Sequence, residues 1–176
     1  MKDIIGKFLL NWRVRKVLPQ ITGRLLDIGC GTNKLVRAYQ GVGIGVDVYD
    51  WGNVDIVLED SSKLPFSTGE FDTVTIIAAL NHIPNRKAVL KEAHRVLDAN
   101  GKIIITMIPP FISTVWHFLR KPWDVDQHER GMKEGEVFGF TKSELQKMLN
   151  NCDFKATRIQ HFMFGINLLV VAYKSN

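Results

Sequence analysis

Leu25-Leu26-Asp27-Ile28-Gly29-Cys30-Gly31-Thr32-Asn33 is the stretch that decides how this 176-residue chain folds. Arg24 to Ile28 is a short apolar strand candidate, and the two glycines that follow, Gly29 and Gly31, allow a tight turn in which backbone can approach a ligand closely. Residues 34–40 then have the length of a short helix. A strand, a glycine turn and a helix in this order predict the first unit of a βαβ fold.

The rest of the chain continues this alternation of strands and helices. Further strand candidates are residues 43–47, 54–58, 71–79 and 102–107, and a helix is expected over 85–97, ended by Asn100-Gly101. Thr141 to Glu144 has the form of a capping box that opens a helix through Leu149. Residues 155–162 and 167–173 flank Gly165 and are expected to form a hairpin. These elements predict an α/β fold with a doubly wound, mostly parallel sheet in one domain spanning residues 1–176.

The N-terminal segment, residues 1–22, is expected to be an amphipathic helix that ends at Pro19. Ile4, Phe8, Leu9 and Trp12 recur at helical spacing, which predicts one apolar stripe. The chain has a net charge of +5 and a pI of about 9.3, and this segment concentrates part of that charge. We interpret the basic residues as a solvated helix face rather than as a phosphate-binding patch.

Cysteine usage and hydropathy restrict the setting in which the protein works. The two cysteines, Cys30 and Cys152, have no metal-ligand spacing, which favours a reducing compartment and predicts a cytoplasmic protein. The longest apolar run near the C-terminus, residues 164–173, is too short to cross a bilayer, so no transmembrane segment is expected. The sequence indicates nothing about oligomeric state.

Carboxylates follow or end three of the predicted strands, where ligands bind in open α/β sheets. Asp27 directly precedes the glycine turn, where it suits a cationic ligand group and would repel a pyrophosphate. Asp47 ends the second strand and can accept hydrogen bonds from both hydroxyls of a ribose. Asp60 follows the third strand; it can accept from an adenine amino group, while the Ser61 amide donates to a ring nitrogen and Leu64 packs on the base.

Four motifs in this order closely resemble those of class I S-adenosylmethionine-dependent methyltransferases. They are Asp27-Ile28-Gly29-Cys30-Gly31-Thr32, Gly45-Val46-Asp47, Asp60-Ser61-Ser62-Lys63-Leu64-Pro65-Phe66 and Phe71-Asp72. The stretch Leu80-Asn81-His82-Ile83-Pro84-Asn85, with Glu92, Arg95-Val96-Leu97 and Gly101, is similar to the small type 11 subgroup. The resemblance covers about residues 25–107.

The resemblance implies a seven-stranded sheet with an antiparallel C-terminal strand, and S-adenosylmethionine as the methyl donor. It assigns the turn of Asp27, Gly29, Cys30 and Gly31 to the amino acid moiety and Asp47 to the ribose. Asp60 and Ser61 are assigned to the adenine, and Val48 and Leu64 complete the expected donor site. The family's third glycine is replaced by Asn33, the next-best residue for a left-handed backbone.

The acceptor side is expected to involve residues 112–139, an insertion after the fifth strand. We interpret residues 120–139 as an acceptor-side lid, and Asp124, Asp126, His128 and Glu129 as its solvated face rather than a metal site, so no metal is expected. His82 and His128 are the candidate general bases. Pro109-Pro110-Phe111 is similar to the motif of methyltransferases acting on base amino groups, but it follows the wrong strand and lacks the initial Asn, Asp or Ser.

The predicted function is methyl transfer from S-adenosylmethionine to an unidentified acceptor, expected to be a small molecule. A nicotinamide-dependent oxidoreductase is an alternative, although Asp27 and Lys34 do not fit the dinucleotide fingerprint. A non-catalytic nucleotide-binding module and an RNA methyltransferase also stay open, the latter on net charge alone, so nucleic acid is not excluded as a partner.

Overall fold

The computed structural model of the chain describes residues 4–110, 137 and 139–175. Four helices lie among these residues: α1 (Ile4–Val17), α2 (Lys34–Ala38), α3 (Arg86–Val96) and α4 (Lys142–Asn150). Seven strands accompany them: β1 (Leu25–Ile28), β2 (Gly43–Asp47), β3 (Ile56–Val57), β4 (Phe71–Ile77), β5 (Leu97–Met107), β6 (Phe154–Phe162) and β7 (Asn167–Lys174). Short 3-10 turns follow α1 at Leu18–Gln20 and β4 at Leu80–His82.

The seven strands form one sheet in the order β3-β2-β1-β4-β5-β7-β6. The five strands from β3 to β5 are parallel, and β7 runs antiparallel to both β5 and β6. This confirms the predicted doubly wound sheet and its antiparallel C-terminal strand. The order reverses between β1 and β4, so the carboxyl ends of these two strands form the switch point where such folds bind ligands.

Helices cover both faces of the sheet. On one face α3 and α4 bury side chains against the sheet, among them Val89, Leu90, Leu145 and Leu149. On the other face Val14 and Val17 of α1 and Leu35 of α2 pack against Leu25 and Ile104. Alternating strand residues such as Leu25 and Leu26 therefore enter different cores, which explains why the strands read as nearly continuous apolar runs.

The predicted apolar stripe of α1 is confirmed only in part. Leu9 and Trp12 are half-buried and pack against the core, but Phe8 is 58% exposed, and Val14 and Val17 supply the most buried face. Arg13 is also buried, and its Nε donates to Asn167 Oδ1 at 2.8 Å, which ties α1 to the start of β7. Burial lowers the pKa of Arg13 to about 10. Because apolar residues occupy both faces of α1, spacing alone did not identify the most buried one.

The ends of the other helices partly follow the sequence signals. Thr141 caps α4 as predicted, since its side chain accepts from the Glu144 amide while Glu144 reaches back to the Thr141 amide. Asn100-Gly101, by contrast, does not end α3, because Leu97 is already extended and β5 begins there. Gly101 has no positive φ; a side chain there would crowd the Asp98 carbonyl at 2.9 Å. Its small size therefore serves close packing rather than a helix stop.

Candidate functional site

The glycine turn lies at the switch point, between the ends of β1 and β4. Gly29 and Gly31 both have left-handed backbones, with φ of 71° and 54°. A Cβ on Gly29 would lie 2.6 Å from the Ala79 Cβ, so the turn after β4 requires a glycine at this position. Nothing lies within 4 Å of the place where a Gly31 Cβ would stand. The turn thus presents bare backbone to an open space, as a ligand cradle does.

Asp27 lies beneath this turn and is almost fully buried. Its Oδ1 accepts a hydrogen bond from the Thr75 hydroxyl on β4 at 2.6 Å. Burial raises the pKa of Asp27 to about 7, and the nearby Asp47 adds to the rise, while the Thr75 hydrogen bond opposes it. A buried carboxyl group with a pKa near neutrality binds a cation favourably, because the cation stabilises its ionised form.

Asp47 joins the end of β2 to the glycine turn. Its Oδ2 accepts from the Gly31 amide at 2.9 Å, and its Oδ1 accepts from the Tyr49 amide at 3.1 Å. Each carboxylate oxygen keeps acceptor capacity beyond these bonds. Val48 and Tyr49 follow as exposed side chains, and the Tyr49 ring lies 4.7 Å from that of Trp51. The structure therefore brings Asp27, the glycine turn and Asp47 together, as the sequence predicted.

Asn33 has the left-handed backbone expected of a residue that replaces a glycine, with φ of 57° and ψ of 31°. Its side-chain amide donates to Asp55 Oδ2 at 2.8 Å and to the Asn53 carbonyl at 3.0 Å. The same Asp55 oxygen accepts from the Gly45 amide at 2.7 Å. A Cβ on Gly45 would collide with the Asn33 side chain, so Gly45 provides the space that Asn33 occupies. The sequence did not predict this bridge.

Asp60 heads a small polar loop after β3. Its carboxylate accepts from the amide and hydroxyl of Ser62, both at 2.8 Å, and from Asn85 Nδ2 at 3.0 Å. These bonds lower the pKa of Asp60, the Ser62 amide contributing most. Ser61 and Leu64 are buried beside it. A partly exposed carboxylate oriented in this way retains acceptor capacity for a ligand amino group.

Glu92 and Arg95 of α3 hold the following loop in place. Glu92 Oε1 accepts from the Leu64 amide at 3.0 Å and from Arg95 Nη2 at 2.7 Å. Arg95 in turn donates to the carbonyls of Phe66 at 2.9 Å and Leu64 at 3.2 Å. We call this arrangement the Glu92–Arg95 clasp. The sequence indicated these two residues only through resemblance, because a contact across some 30 positions leaves no local pattern.

The turn after β4 forms the other wall of the site. Ala78 has a positive φ of 54°, a conformation that costs a residue with a Cβ roughly 1–2 kcal/mol. Its amide donates to the Thr106 carbonyl of β5 at 2.8 Å. His82, a candidate base, is half-buried at the end of the Leu80–His82 turn. The Asn81 carbonyl accepts from the Val137 amide at 3.0 Å, so the chain returns to this wall after residue 136.

Several predicted features lie outside the described residues. These include His128, the acidic residues Asp124, Asp126 and Glu129, and Phe111 of the Pro109-Pro110-Phe111 motif. Within the described part of the chain, no group of three or more His, Cys, Asp or Glu side chains could hold a metal ion. No helix found there is long and apolar enough to cross a membrane.

The geometry fits a cationic nucleoside better than a dinucleotide phosphate. Burial raises the pKa of the Cys30 thiol most, and the nearby Asp27, Asp47 and Asp55 carboxyl groups raise it further. Three carboxyl groups thus act on the glycine turn. Such a field repels a pyrophosphate and attracts a sulfonium or an ammonium. S-adenosylmethionine carries both cations together with a ribose and an adenine.

Comparison with known proteins agrees with this geometry. Residues 26–105 match the family model described as "Methyltransferase domain". The demethylmenaquinone methyltransferase of Staphylococcus saprophyticus is 28% identical over 199 residues, which cover 93% of this chain and 85% of that protein. An uncharacterized protein of Methanocaldococcus jannaschii is 34% identical over 149 residues, covering 81% of this chain and 69% of the relative.

Solved structures share the fold at lower sequence identity. A SAM-dependent methyltransferase of Thermotoga maritima, described as a possible histamine N-methyltransferase, has a TM-score of 0.71 at 18% identity. The match covers 98% of this chain and 92% of that one. At this identity the likeness supports the arrangement of strands and helices and leaves the acceptor undetermined.

Proposed function

The chain belongs to the methyltransferase domain family and is an S-adenosylmethionine-dependent methyltransferase; on that premise we propose which residues hold the donor and what class of molecule receives the methyl group. Asp27, Gly29, Cys30 and Gly31 hold the amino acid moiety. Asp47 accepts from the ribose hydroxyls, and Val48, Asp60, Ser61 and Leu64 surround the adenine. The meeting of the buried Asp27 and Asp47 carboxyl groups at the glycine turn, where the Gly31 amide donates to Asp47 and the space beside Gly31 is open, is the observation that carries this proposal.

When bound, S-adenosylmethionine supplies a methyl group that its sulfonium already makes electrophilic. The protein's own task is therefore to bind, orient and exclude water. Asp27 pairs with a ligand cation from beneath the turn. Asp47 fixes the position of the turn through the Gly31 amide and keeps its remaining lone pairs for the ribose.

The acceptor site lies where β4 and β5 end, beside the glycine turn. Ala79 and Ile108 are half-buried there, so apolar side chains contribute to the accessible wall. Two Staphylococcus relatives are named demethylmenaquinone methyltransferase, so the acceptor that their name gives is a demethylated menaquinone. We propose that the acceptor is likewise a small molecule with an apolar ring. Because His82 ends the turn that follows β4, its role as the base that takes a proton from an acceptor hydroxyl is part of this proposal.

Residues 112–139 are the proposed acceptor-side insertion within a single domain of residues 1–176. The described residues on the two sides of the insertion lie close together, beside the turn that follows β4. Val137 bonds to Asn81, and a Cβ on Gly139 would collide with the Ile108 carbonyl. The segment thus leaves and rejoins the fold beside the β4 turn, which supports a role toward the acceptor. Replacing residues 123–131 by a Gly/Ser linker should abolish methyl transfer while leaving S-adenosylhomocysteine affinity nearly unchanged.

The deciding experiment measures donor choice and turnover separately. Calorimetry should show binding of S-adenosylmethionine and S-adenosylhomocysteine, and tighter binding of NAD would contradict the assigned site. Transfer of labelled methyl groups is then followed by mass spectrometry in extracts separated into lipid-soluble and water-soluble fractions. Label in a lipid-soluble ring compound is expected. Label confined to RNA, or to polar metabolites, would overturn the proposed acceptor class while leaving the donor site intact.

A further inference from the structure

Three aromatic side chains form a contiguous, partly exposed strip beside the acceptor edge, with half-buried Trp12 between two exposed rings. Phe8 and Trp12 lie one helical turn apart on α1, with ring centroids 5.6 Å apart. Trp12 also contacts Phe164 at the tip of the β6–β7 hairpin, with centroids 5.7 Å apart. Phe8 is 58% exposed and Phe164 is 93% exposed. We call these three residues the aromatic face; contiguous exposed apolar surface of this kind marks an interaction site.

The backbone at the hairpin tip forces Phe164 outward. Met163, Phe164 and Gly165 have successive positive φ values of 54°, 55° and 87°. Turns of this kind normally contain Asn, Asp or Gly, because a left-handed conformation disfavours bulky residues. Packing beneath the tip accounts for Met163, which is buried, but not for Phe164. The sequence thus places a large apolar ring at a position that favours a small polar residue.

Basic side chains surround the aromatic face. Lys7 and Arg15 are exposed on α1, and helical spacing puts Arg15 on the same side as Phe8 and Trp12. Residues 1–17 contain five basic residues and one acidic residue, and of the basic residues Arg13 is buried and does not contribute to this surface. Aromatic residues flanked by Lys and Arg on one helix face are typical of surfaces that lie in a membrane interface.

The aromatic face is also close to the edge of the sheet that carries the donor site. Leu168, next to the hairpin tip, pairs with Met107, the last residue of β5. The carboxyl ends of β1, β4 and β5 meet at this edge, where the glycine turn and the β4 turn lie. A surface bound to the aromatic face would therefore lie beside the entrance to the acceptor site.

We propose that the aromatic face docks the protein on a lipid bilayer with anionic headgroups. The rings enter the interface while Lys7 and Arg15 contact lipid phosphates. A second copy of the chain fits less well, because the same concentrated positive charge would face itself. Single-stranded nucleic acid fits less well too, since bases stack on successive parallel ring faces, whereas these rings meet at 78° and 88°. The inference goes beyond the methyl-transfer reaction and does not depend on the acceptor.

The test is flotation of the full chain with vesicles of phosphatidylglycerol and phosphatidylcholine in equal parts. Wild-type protein should float with these vesicles and much less with pure phosphatidylcholine. The double variant Phe8→Gln, Phe164→Asn should bind at least about tenfold more weakly, since two rings no longer leave water. Asn suits the left-handed backbone at 164, so the hairpin should persist. Val57→Gln on β3 is the matched control, because Val57 is 51% exposed at the far edge of the sheet and should not affect binding.

Two further measurements decide between headgroup attraction, ring insertion and other partners. Lys7→Gln with Arg15→Gln should weaken binding to anionic vesicles on the order of thirtyfold, at about 1 kcal/mol per charge. Tryptophan emission should shift to the blue on vesicle binding in the wild type, and Trp12→Phe should remove that shift. The proposal is overturned if the wild type does not float, or if the aromatic variant floats equally well. It is also overturned if the aromatic variant instead dissolves a dimer or abolishes binding of single-stranded RNA.

These measurements use neither methyl donor nor acceptor. Vesicle binding can therefore fail while methyl transfer succeeds, and the reverse can also occur. A variant that loses flotation must retain wild-type S-adenosylhomocysteine affinity and melting temperature to support the proposal, because α1 also contributes Val14 and Val17 to the core.

Discussion

At the scale of single residues, Asp27 combines a cost to the fold with a use in the site. Its pKa of about 7 stands well above the ordinary value of 3.8 because the carboxyl group is buried. Between pH 4 and 7 the folded protein therefore holds a proton that the unfolded chain has released. Stability must fall as pH rises through this window, and the full penalty is present above pH 7.

Asp27→Asn should remove that penalty and stabilise the apo protein by up to about 4 kcal/mol above pH 7. Its amide oxygen can still accept from the Thr75 hydroxyl, so the packing is retained. Urea unfolding at pH 5 and pH 8 measures the effect, and the gain should be much larger at pH 8. An equal gain at both values would show that Asp27 is ionised throughout.

Donor binding should show the opposite dependence. Because a ligand cation needs the ionised carboxylate, wild-type affinity for S-adenosylmethionine should weaken about tenfold per pH unit below 7 and level off above it. In Asp27→Asn the affinity should be low at every pH and independent of pH near 7. Calorimetry across pH 5.5–8.5, a range chosen to bracket the Asp27 pKa of about 7, separates the two proteins.

Asn33 provides a second residue-scale prediction, since restoring the family's glycine should harm the protein. Asn33→Gly removes the hydrogen bonds to Asp55 and Asn53, and bonds to a carboxylate contribute about 1.5–3 kcal/mol. Glycine also removes the strain of the left-handed backbone, but this gain in stability is smaller than the loss of the hydrogen bonds. The free energy of unfolding should therefore fall by about 1–2 kcal/mol in thermal or urea unfolding. Gly45→Ala should destabilise the wild type strongly and the Asn33→Gly protein less, because the space it enters is then empty. Additive effects in this double-mutant cycle would contradict the bridge.

At the scale of elements, the Glu92–Arg95 clasp connects α3 to the loop of Leu64 and Phe66, which we propose lies beside the adenine. Arg95→Met should release the Leu64–Phe66 backbone, destabilise the fold by about 1–2 kcal/mol and weaken S-adenosylhomocysteine binding several-fold. Hydrogen exchange at the Leu64 amide, which donates to Glu92, reports the release directly. Lys91→Met is the matched control, because Lys91 is exposed on the same helix. Equal exchange rates in both variants would mean that the loop keeps its conformation without Arg95.

Features that depend on a few adjacent residues could be predicted from the sequence, whereas features that depend on tertiary contacts could not. β-Branched runs indicated the buried strands, and the Thr141–Glu144 pattern indicated the cap of α4, because both signals are contained in a few adjacent residues. The glycine turn, Asp27 and Asp47 could be placed at one site because parallel strands bring their ends together. The exposed side of α1 could not be predicted, since both faces are apolar. The left-handed Ala78, the Asn33 bridge to Asp55 and the clasp depend on contacts distant in sequence.

At the scale of the whole molecule, donor binding should stabilise the entire fold, because the site joins the ends of β1, β2 and β4. At a hundred times its dissociation constant, a ligand adds about 2.7 kcal/mol, which raises the melting temperature of a chain of this size by about 5–10 °C. S-adenosylhomocysteine should produce this rise and NAD should not. Asp47→Ala should lose most of it while melting cooperatively on its own. A full shift in that variant would show that the ribose lies elsewhere.

The position of β7 has a consequence for biosynthesis. β7 lies between β5 and β6, yet it follows both in the chain, and among the described strands it is the one with which β6 pairs. While residues 167–174 are still inside the ribosome, the nascent chain therefore exposes β5 as an open edge and leaves β6 unpaired. Such edges recruit other chains, so a stalled or truncated translation product should depend on chaperones until β7 emerges. The order of synthesis, and not only the final packing, thus determines when the open strand edges of this enzyme are covered and its tendency to aggregate falls.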